Sequence, residues 1–219
     1  MAGRSIRVTP EMTADAKKLI KLMGCPVIEA PCEAEAQCAT IVKHDLAFAT
    51  ATEDMDALTF GTHFQLRGFN SKKEPLTQIE LKVILQDFDM TMDEFIDLCI
   101  MCGCDYTKSI GGIGPIKAYK FIKEHGNIEN VLEQIEKELQ DEKKKAKYVV
   151  PAEFRFKESR ELFKNPEVIK DKEELEKLIK FNKPDEAELK AFLVNEKGFT
   201  EQKVDSGLEK LKKAQTKVN

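Results

Sequence analysis

The stretch Leu46-Ala47-Phe48-Ala49-Thr50-Ala51-Thr52-Glu53-Asp54-Met55-Asp56 decides how this chain is read. Its first six residues carry no charge and read as a short buried strand. Carboxylates follow at once, at Glu53, Asp54 and Asp56. In open α/β sheets, sites lie just past the carboxyl ends of strands, where these acids fall. Upstream, Thr13 to Met23 places Ala16, Leu19, Ile20 and Met23 on one face of an expected amphipathic helix, with Gly24 as its stop. Pro26-Val27-Ile28 is expected to be another short buried strand, and Ala34 to Val42 a helix. Downstream, Asp56 to Phe60 reads as one helical turn and Phe64-Gln65-Leu66 as a strand. Short apolar strands alternating with helices predict an α/β fold with a mostly parallel, doubly wound sheet.

Beyond about residue 80 the periodicity becomes helical. Helices are expected over Ile79 to Phe88, Met92 to Cys102, Pro115 to Glu124, Ile128 to Leu139, Ala152 to Phe163, Asp185 to Asn195 and Thr200 to Lys213. The run from Asp141 to Lys147 reads as a solvated loop or frayed helix end. Two regions result: residues 1–95, the α/β part, and residues 96–219, a helical part.

Composition narrows the function classes. The chain has 219 residues, 42% hydrophobic and 34% charged, with a net charge of −4. No apolar run is long enough to cross a bilayer, and Met1 to Arg7 carries no signal-peptide core, so a cytosolic or nuclear location is expected. The net charge argues against indiscriminate nucleic-acid binding, yet 35 Lys and Arg remain available for a basic face. Six cysteines without a secretory signal are expected as thiols. Cys99-x-x-Cys102 has no second ligand pair at similar spacing, and His44, His63 and His125 stand alone, so zinc is not expected.

Three acidic signals remain: Glu33-Ala34-Glu35 after Pro31, Asp54-Met55-Asp56, and Asp105 just past an apolar helix. Each alone is as well explained by an exposed helix or an N-cap. Gathered together, they would repel one another unless a divalent cation neutralised them. Magnesium takes oxygen ligands and retains waters, and two such ions about 4 Å apart can activate water and stabilise a leaving oxygen. No Ser, His or Cys nucleophile with a base partner competes.

A second element is Ser109-Ile110-Gly111-Gly112-Ile113-Gly114-Pro115, which leads into a helix. Glycines permit close backbone approach, Pro115 suits the first helical position, and a helix amino terminus suits phosphate. Lys108, Lys117, Lys120 and Lys123 surround it. The spacing fits neither a dinucleotide fingerprint nor a P-loop. A tight helix–helix turn with Ile110 and Ile113 in the core is compatible with the same residues.

Taken in order, Glu33-Ala34-Glu35-Ala36, Ala51 to Gly61, Asp97-Leu98-Cys99-Ile100, Gly103-Cys104-Asp105-Tyr106 and Ile110 to Pro115 resemble the flap endonucleases of the XPG-type 5′-nuclease family. The resemblance implies a PIN-like 5′-nuclease core followed by a helix–two-turn–helix element that grips duplex DNA. It implies catalytic, metal-binding roles for Glu33, Glu35, Asp54, Asp56 and Asp105 at a two-magnesium site. It places Glu33, Gly103 and Asp105 against the scissile strand, and Gly111, Gly112, Gly114, Lys117 and Lys120 against DNA. A potassium ion is implied at Ser109, Ile110 and Ile113. The implied activity is 5′-flap endonuclease and 5′–3′ exonuclease cleavage in DNA replication and repair. The implied partner is branched duplex DNA with a 5′ flap, met by a monomer in the nucleus and also in the mitochondrion, with no membrane association.

Departures accompany the likeness. The family carries two further aspartates and a helical arch ahead of the Glu-Ala-Glu motif, where this sequence has only Glu11, Asp15 and Glu29. Gly111 and Ile116 stand where relatives often have basic residues. The family's sliding-clamp peptide is not found before Asn219. Weak catalysis by the 219-residue chain alone is therefore expected. A non-catalytic, structure-selective DNA-binding module is the competing reading.

Overall fold

The computed structural model of the chain describes residues 7–69, 75–140 and 147–215. Packing divides them into two units: the described residues of Met1–Glu29 with those of Asp171–Asn219, and the described residues of Ala30–Lys170. The region boundary expected at residue 95 falls inside the second unit.

The first unit begins with α1 (Pro10–Leu22), whose start is fixed by Pro10 at its first turn and by the Thr9 side chain accepting the Met12 N–H. Leu19, Leu22 and Met23 turn to a small core of Leu189, Val204 and Leu208, whereas Ile20, expected on the buried face, is 39% exposed. The expected helix over Asp185 to Asn195 divides into α10 (Glu186–Lys190) and a π-helical turn (Ala191–Glu196). The last helix is α11 (Glu201–Gln215). A helix not foreseen, α9 (Lys172–Leu178), is capped by Asp171 and buries only Leu175.

The second unit holds the sheet. Its strands are β1 (Thr50–Ala51), β2 (Phe64–Arg67) and β3 (Thr77–Glu80), in the order β1-β2-β3. β1 pairs with β2 in parallel, and β2 pairs with β3 antiparallel. The α/β class expected from the sequence is present as a small mixed sheet with many helices. Two expected strands differ. Pro26-Val27-Ile28 is half-buried and irregular, with no strand beside it among the described residues to take its backbone groups. Leu46 is used instead to close α2 (Ala34–Lys43): its N–H donates to Ile41 O, behind Asp45 in the left-handed region at φ 59°. Only Thr50 and Ala51 of that run reach the sheet, and Phe48 lies outside, stacked on Phe64 at 5.0 Å.

Around the sheet lie α3 (Asp56–Thr59), α4 (Leu81–Phe88), α5 (Met92–Cys102), α6 (Pro115–His125), α7 (Ile128–Leu139) and α8 (Phe156–Lys164). Ile79 and Glu80 close β3 rather than open α4, and α8 starts four residues later than Ala152. The charge run from Asp141 lies outside the described residues up to Ala146. A reciprocal capping box starts α5, with Thr91 and Glu94 exchanging side-chain and backbone bonds. Apolar positions from α5, α6 and α7 meet in one core that includes Ile100, Met101, Ile122, Ile128 and Val131.

Asp97 is buried within this core, at 2% exposure. Arg160 of α8 binds it through Nε and Nη2, each at 2.7 Å, and binds Glu129 of α7 through Nη1 and Nη2 at 2.8 and 2.7 Å. Asp97 Oδ2 also accepts the Ile128 N–H at 3.1 Å, at the start of α7. Guanidinium contact holds the Glu129 carboxyl below its usual range, and both carboxylates hold Arg160 firmly protonated. Breaking a buried pair leaves the remaining charge uncompensated, whereas exposed pairs contribute little. Asp97→Ala is therefore expected to cost about 3 kcal/mol, and Glu129→Ala, at the half-exposed end, under about 1 kcal/mol. Urea unfolding of the two variants checks this ordering.

Candidate active site

All five predicted carboxylates lie in the second unit. Glu33 is the N-cap of α2 and Glu35 lies in its first turn. Asp54 and Asp56 lie between β1 and α3, and Asp105 three residues past the end of α5. The loop after β1 is built from local bonds. Thr52 Oγ1 accepts the Asp54 N–H at 3.1 Å and lies 3.4 Å from Glu35 Oε1. Asp54 Oδ1 in turn accepts the Asp56 N–H at 3.0 Å. Below them, the fully buried Gln65 donates Nε2 to Thr52 O at 3.0 Å and to Asp54 O at 2.7 Å.

Ion pairing separates these acids from their neighbours. Among the described residues, none of Glu33, Glu35, Asp54, Asp56 and Asp105 is paired with a Lys or Arg. Glu53, beside them in sequence, is tied off: it accepts the Gly68 N–H at 2.8 Å and lies 3.4 Å from Arg67 Nε, an ion pair without hydrogen-bond geometry. The unpaired charges act on one another. Burial, and then the charges of Asp54, Asp105, Glu35 and Glu33, raise the Asp56 carboxyl to about 6. Tyr106 belongs to the same surroundings, since burial and then Glu33, Asp56 and Asp105 push its phenol up.

No group of three or more His, Cys, Asp or Glu among the described residues is gathered to hold a metal ion. The donor set is nonetheless of the kind a hard divalent cation takes, all carboxylate oxygen and no countercharge. Magnesium dehydrates reluctantly and is held by one or two carboxylates plus water and phosphate. The chemistry of the donors fits magnesium, without a dense protein cage.

Six positions past Gly103, the hairpin begins at Ser109, whose Oγ would lie 3.1 Å from a Cβ built on Gly103. Its glycines have three different reasons. Gly111 forms an antiparallel bridge with Val149, exchanging N–H···O bonds of 2.8 and 3.0 Å. Gly112 sits at φ +85°, and a Cβ there would come within 2.7 Å of Lys147 O. Gly114, the N-cap of α6, has ordinary extended backbone and open space where a Cβ would be. Ile110 and Ile113 are buried, at 2% and 8% exposure, and anchor the turn.

Lys117 and Lys120, expected to share a phosphate-facing surface, differ. Lys117 Nζ donates to Gly112 O at 2.8 Å and lies 5.3 Å from the centre of the Tyr148 ring. It is spent on the hairpin's own backbone. Lys120 is exposed.

Sequence reasoning missed Thr52, Gln65 and Tyr106. Tyr106 was signalled by adjacency to Asp105. Gln65 carried a weaker sign, a long polar side chain in the middle of a short strand beside the acidic loop. Nothing about Thr52 set it apart from other threonines.

A parallel β-edge followed by Asp54 and Asp56, with a glycine hairpin ahead of a helix, is an arrangement shared with solved 5′-nuclease structures. Residues 24–105 match the family model of the XPG I-region. Flap endonuclease 1 of Tetrahymena thermophila is 51% identical over 222 aligned positions, covering 99% of this chain and 57% of that protein. Among solved structures, flap endonuclease-1 from Methanococcus jannaschii matches with a TM-score of 0.76 at 29% identity, over 96% of this chain and 60% of that one. The catalytic core of Rad2 in complex with DNA substrate matches at 0.80 and 25% identity, over 95% and 72%. The chain is thus similar to flap endonucleases over nearly its whole length. It spans little more than half the length of the curated relatives it matches.

The glycine geometry makes a test of fold alone. A left-handed non-glycine residue costs about 1–2 kcal/mol before any clash, so Gly112→Ala is expected to lower the thermal midpoint clearly. Gly114→Ala meets nothing and is expected to change stability by under about 1 kcal/mol. Thermal unfolding of both variants checks the contrast.

Proposed function

We propose that this chain supplies the metal-binding and duplex-gripping parts of a structure-specific 5′ nuclease. In this reading it serves 5′-flap endonuclease and 5′–3′ exonuclease cleavage of branched DNA in replication and repair. The observation that carries the reading is that Glu33, Glu35, Asp54, Asp56 and Asp105 have no Lys or Arg partner among the described residues and that burial and the other four raise the Asp56 carboxyl, with the glycine hairpin close behind Gly103. Glu33, Glu35, Asp54, Asp56 and Asp105 would hold two magnesium ions, which supply an activated water and stabilise the leaving oxygen when bound. Glu33, Gly103 and Asp105 would border the scissile strand.

We place the division between the two parts near residue 95, with Glu33, Glu35, Asp54 and Asp56 before it and Asp105 and the duplex grip after it. On the duplex side, the N–H groups of Gly112 and Gly114 would lie near a phosphate at the start of α6, and Gly111, whose own N–H donates to Val149 O, would border it through its backbone. The open space above Gly114 is the point of closest approach. Ser109 with the carbonyls of Ile110 and Ile113 would carry a potassium ion there. Lys120 adds a point charge, and Lys117 acts by holding Gly112 O. Activity in the nucleus on 5′-flap DNA follows from the family, as does action as a monomer.

Binding measurements on the 219-residue chain test both halves. Asp54→Asn is expected to weaken magnesium and manganese binding at least tenfold and to leave duplex affinity in calcium within about twofold. Unchanged metal affinity would overturn the metal reading and leave a DNA-binding module. For the hairpin, Gly114→Ala should weaken binding to a flapped duplex without loss of fold. Lys120→Ala should weaken binding uniformly across sequences and lower the salt slope of log K by about 1. An unaltered slope would remove Lys120 from the interface.

A further inference from the structure

We infer that Gln65 is a positioning residue of this metal centre, its side-chain amide setting the placement of Asp54 and Asp56 from beneath the loop that carries them. The inference rests on the metal reading above.

The sheet ends early at this point. Thr50 and Ala51 pair with Gln65 and Leu66, and one more ladder bond follows, from Thr52 N to Leu66 O at 3.2 Å. Past Thr52 the chain leaves the sheet and turns into α3, so inward-facing carbonyls of the turn lose their ladder partners. Gln65 meets that need. Its Nε2 gives one proton to Thr52 O at 3.0 Å and the other to Asp54 O at 2.7 Å. Both donors of the amide are used on the loop that bears the acids.

The orientation of the amide is determined by its partners. Exchanging nitrogen and oxygen would set Oε1 against two carbonyl oxygens, which is repulsive. The orientation seen leaves Oε1 buried without a partner. A fully buried side chain kept for packing alone would be apolar and would leave no acceptor unmet. The two donated bonds are what the polar side chain contributes.

The consequences travel outward through bonds already described. Fixing the Asp54 carbonyl fixes that residue's backbone, and its Oδ1 accepts the Asp56 N–H at the start of α3. Thr52, held by the same amide, binds Asp54 N and lies 3.4 Å from Glu35 Oε1. One buried amide is thus linked to three of the five carboxylates. On the flank, Arg67 at the end of the same strand and Gly68 just past it hold Glu53 away from them. Ligands of a hard cation depend on such support, because carboxylates that repel one another separate unless their backbone is held.

Gln65→Met tests this, since methionine fills a similar volume without a donor. Manganese affinity of the 219-residue chain is expected to fall at least tenfold. The rise in thermal midpoint that magnesium gives the parent should be lost, with the midpoint in EDTA within a few degrees of the parent. Manganese affinity within twofold of the parent would overturn the inference, as would an EDTA midpoint so lowered that it accounts for the whole metal effect. Asp54→Asn is run alongside: if it also leaves metal binding unchanged, the metal reading fails, and not the positioning role alone. Should Gln65→Met not fold, the unaltered chain decides. The side-chain amide protons of Gln65 should exchange with water at least a hundredfold more slowly than those of free glutamine, and magnesium should slow them further. Exchange at the free rate, or insensitivity to magnesium, would overturn the role.

Discussion

The ion triad of Asp97, Arg160 and Glu129, buried at its Asp97 end, is the constraint on which the second unit depends. Three helices meet on one guanidinium: α5 through Asp97, α7 through Glu129 and α8 through Arg160 itself. Asp97 also takes the first N–H of α7, so the same carboxylate is an ion partner and a helix-start acceptor. Burial of a carboxylate is tolerated only when its lone pairs are used, and here they are. This pins the body of α5, and α5 delivers Gly103 and Asp105 at its end. The acid furthest along the chain is therefore set by packing of the helical region, and the acids near β1 are set by the sheet.

Partner choice distinguishes structural acids from candidate functional ones. Glu53 is adjacent to a predicted ligand and Asp97 lies on the helix that precedes another, yet each has a basic partner. The five predicted ligands have none among the described residues. A sequence window does not separate the two groups, since Glu53-Asp54 are adjacent carboxylates of similar local context. What separates them is which way β2 reaches: Arg67 and Gly68 come to Glu53, while Gln65 comes to the carbonyls behind it. The sheet thus sorts one acid into scaffold and leaves Asp54 and Asp56 without a basic partner among the described residues.

Much of this was legible in the sequence, and the parts that were not share a cause. Helices α5 and α7 match their expected limits because caps and periodicity are local: Thr91 with Glu94, and Asn127 accepting from Asn130 N. The strands were less legible because a strand exists only through a partner. Val27 and Ile28 have the composition of a strand and no neighbour to pair with among the described residues. Thr77 to Glu80 has little β character, yet pairs along its whole length with β2. The acids of the candidate site were legible as a pattern, whereas Gln65 and Thr52 act through backbone carbonyls and amides, which leave no mark on residue type. Tyr106 stood next to Asp105, and only its surroundings in space reveal that three of the acids act on it.

The glycine hairpin shows why residue type underdetermines role even where a motif is strong. Three residues lie between Gly111 and Pro115, and the three glycines of the stretch look interchangeable in sequence. In space, Gly111 is a glycine because Val149 crosses it, and Gly112 because the backbone is left-handed against Lys147 O. Neither reason involves a ligand. Only Gly114 is small without a neighbour that requires it, at the N-cap of α6, where N–H groups are unsatisfied. The same division runs through the lysines: Lys117 completes the turn by binding Gly112 O, and Lys120 remains exposed. A hairpin that binds a phosphate must first hold its own backbone rigid, so most of its distinctive residues are used on itself. What remains open is the space at Gly114, where a Cβ would meet nothing, at the amino terminus of α6.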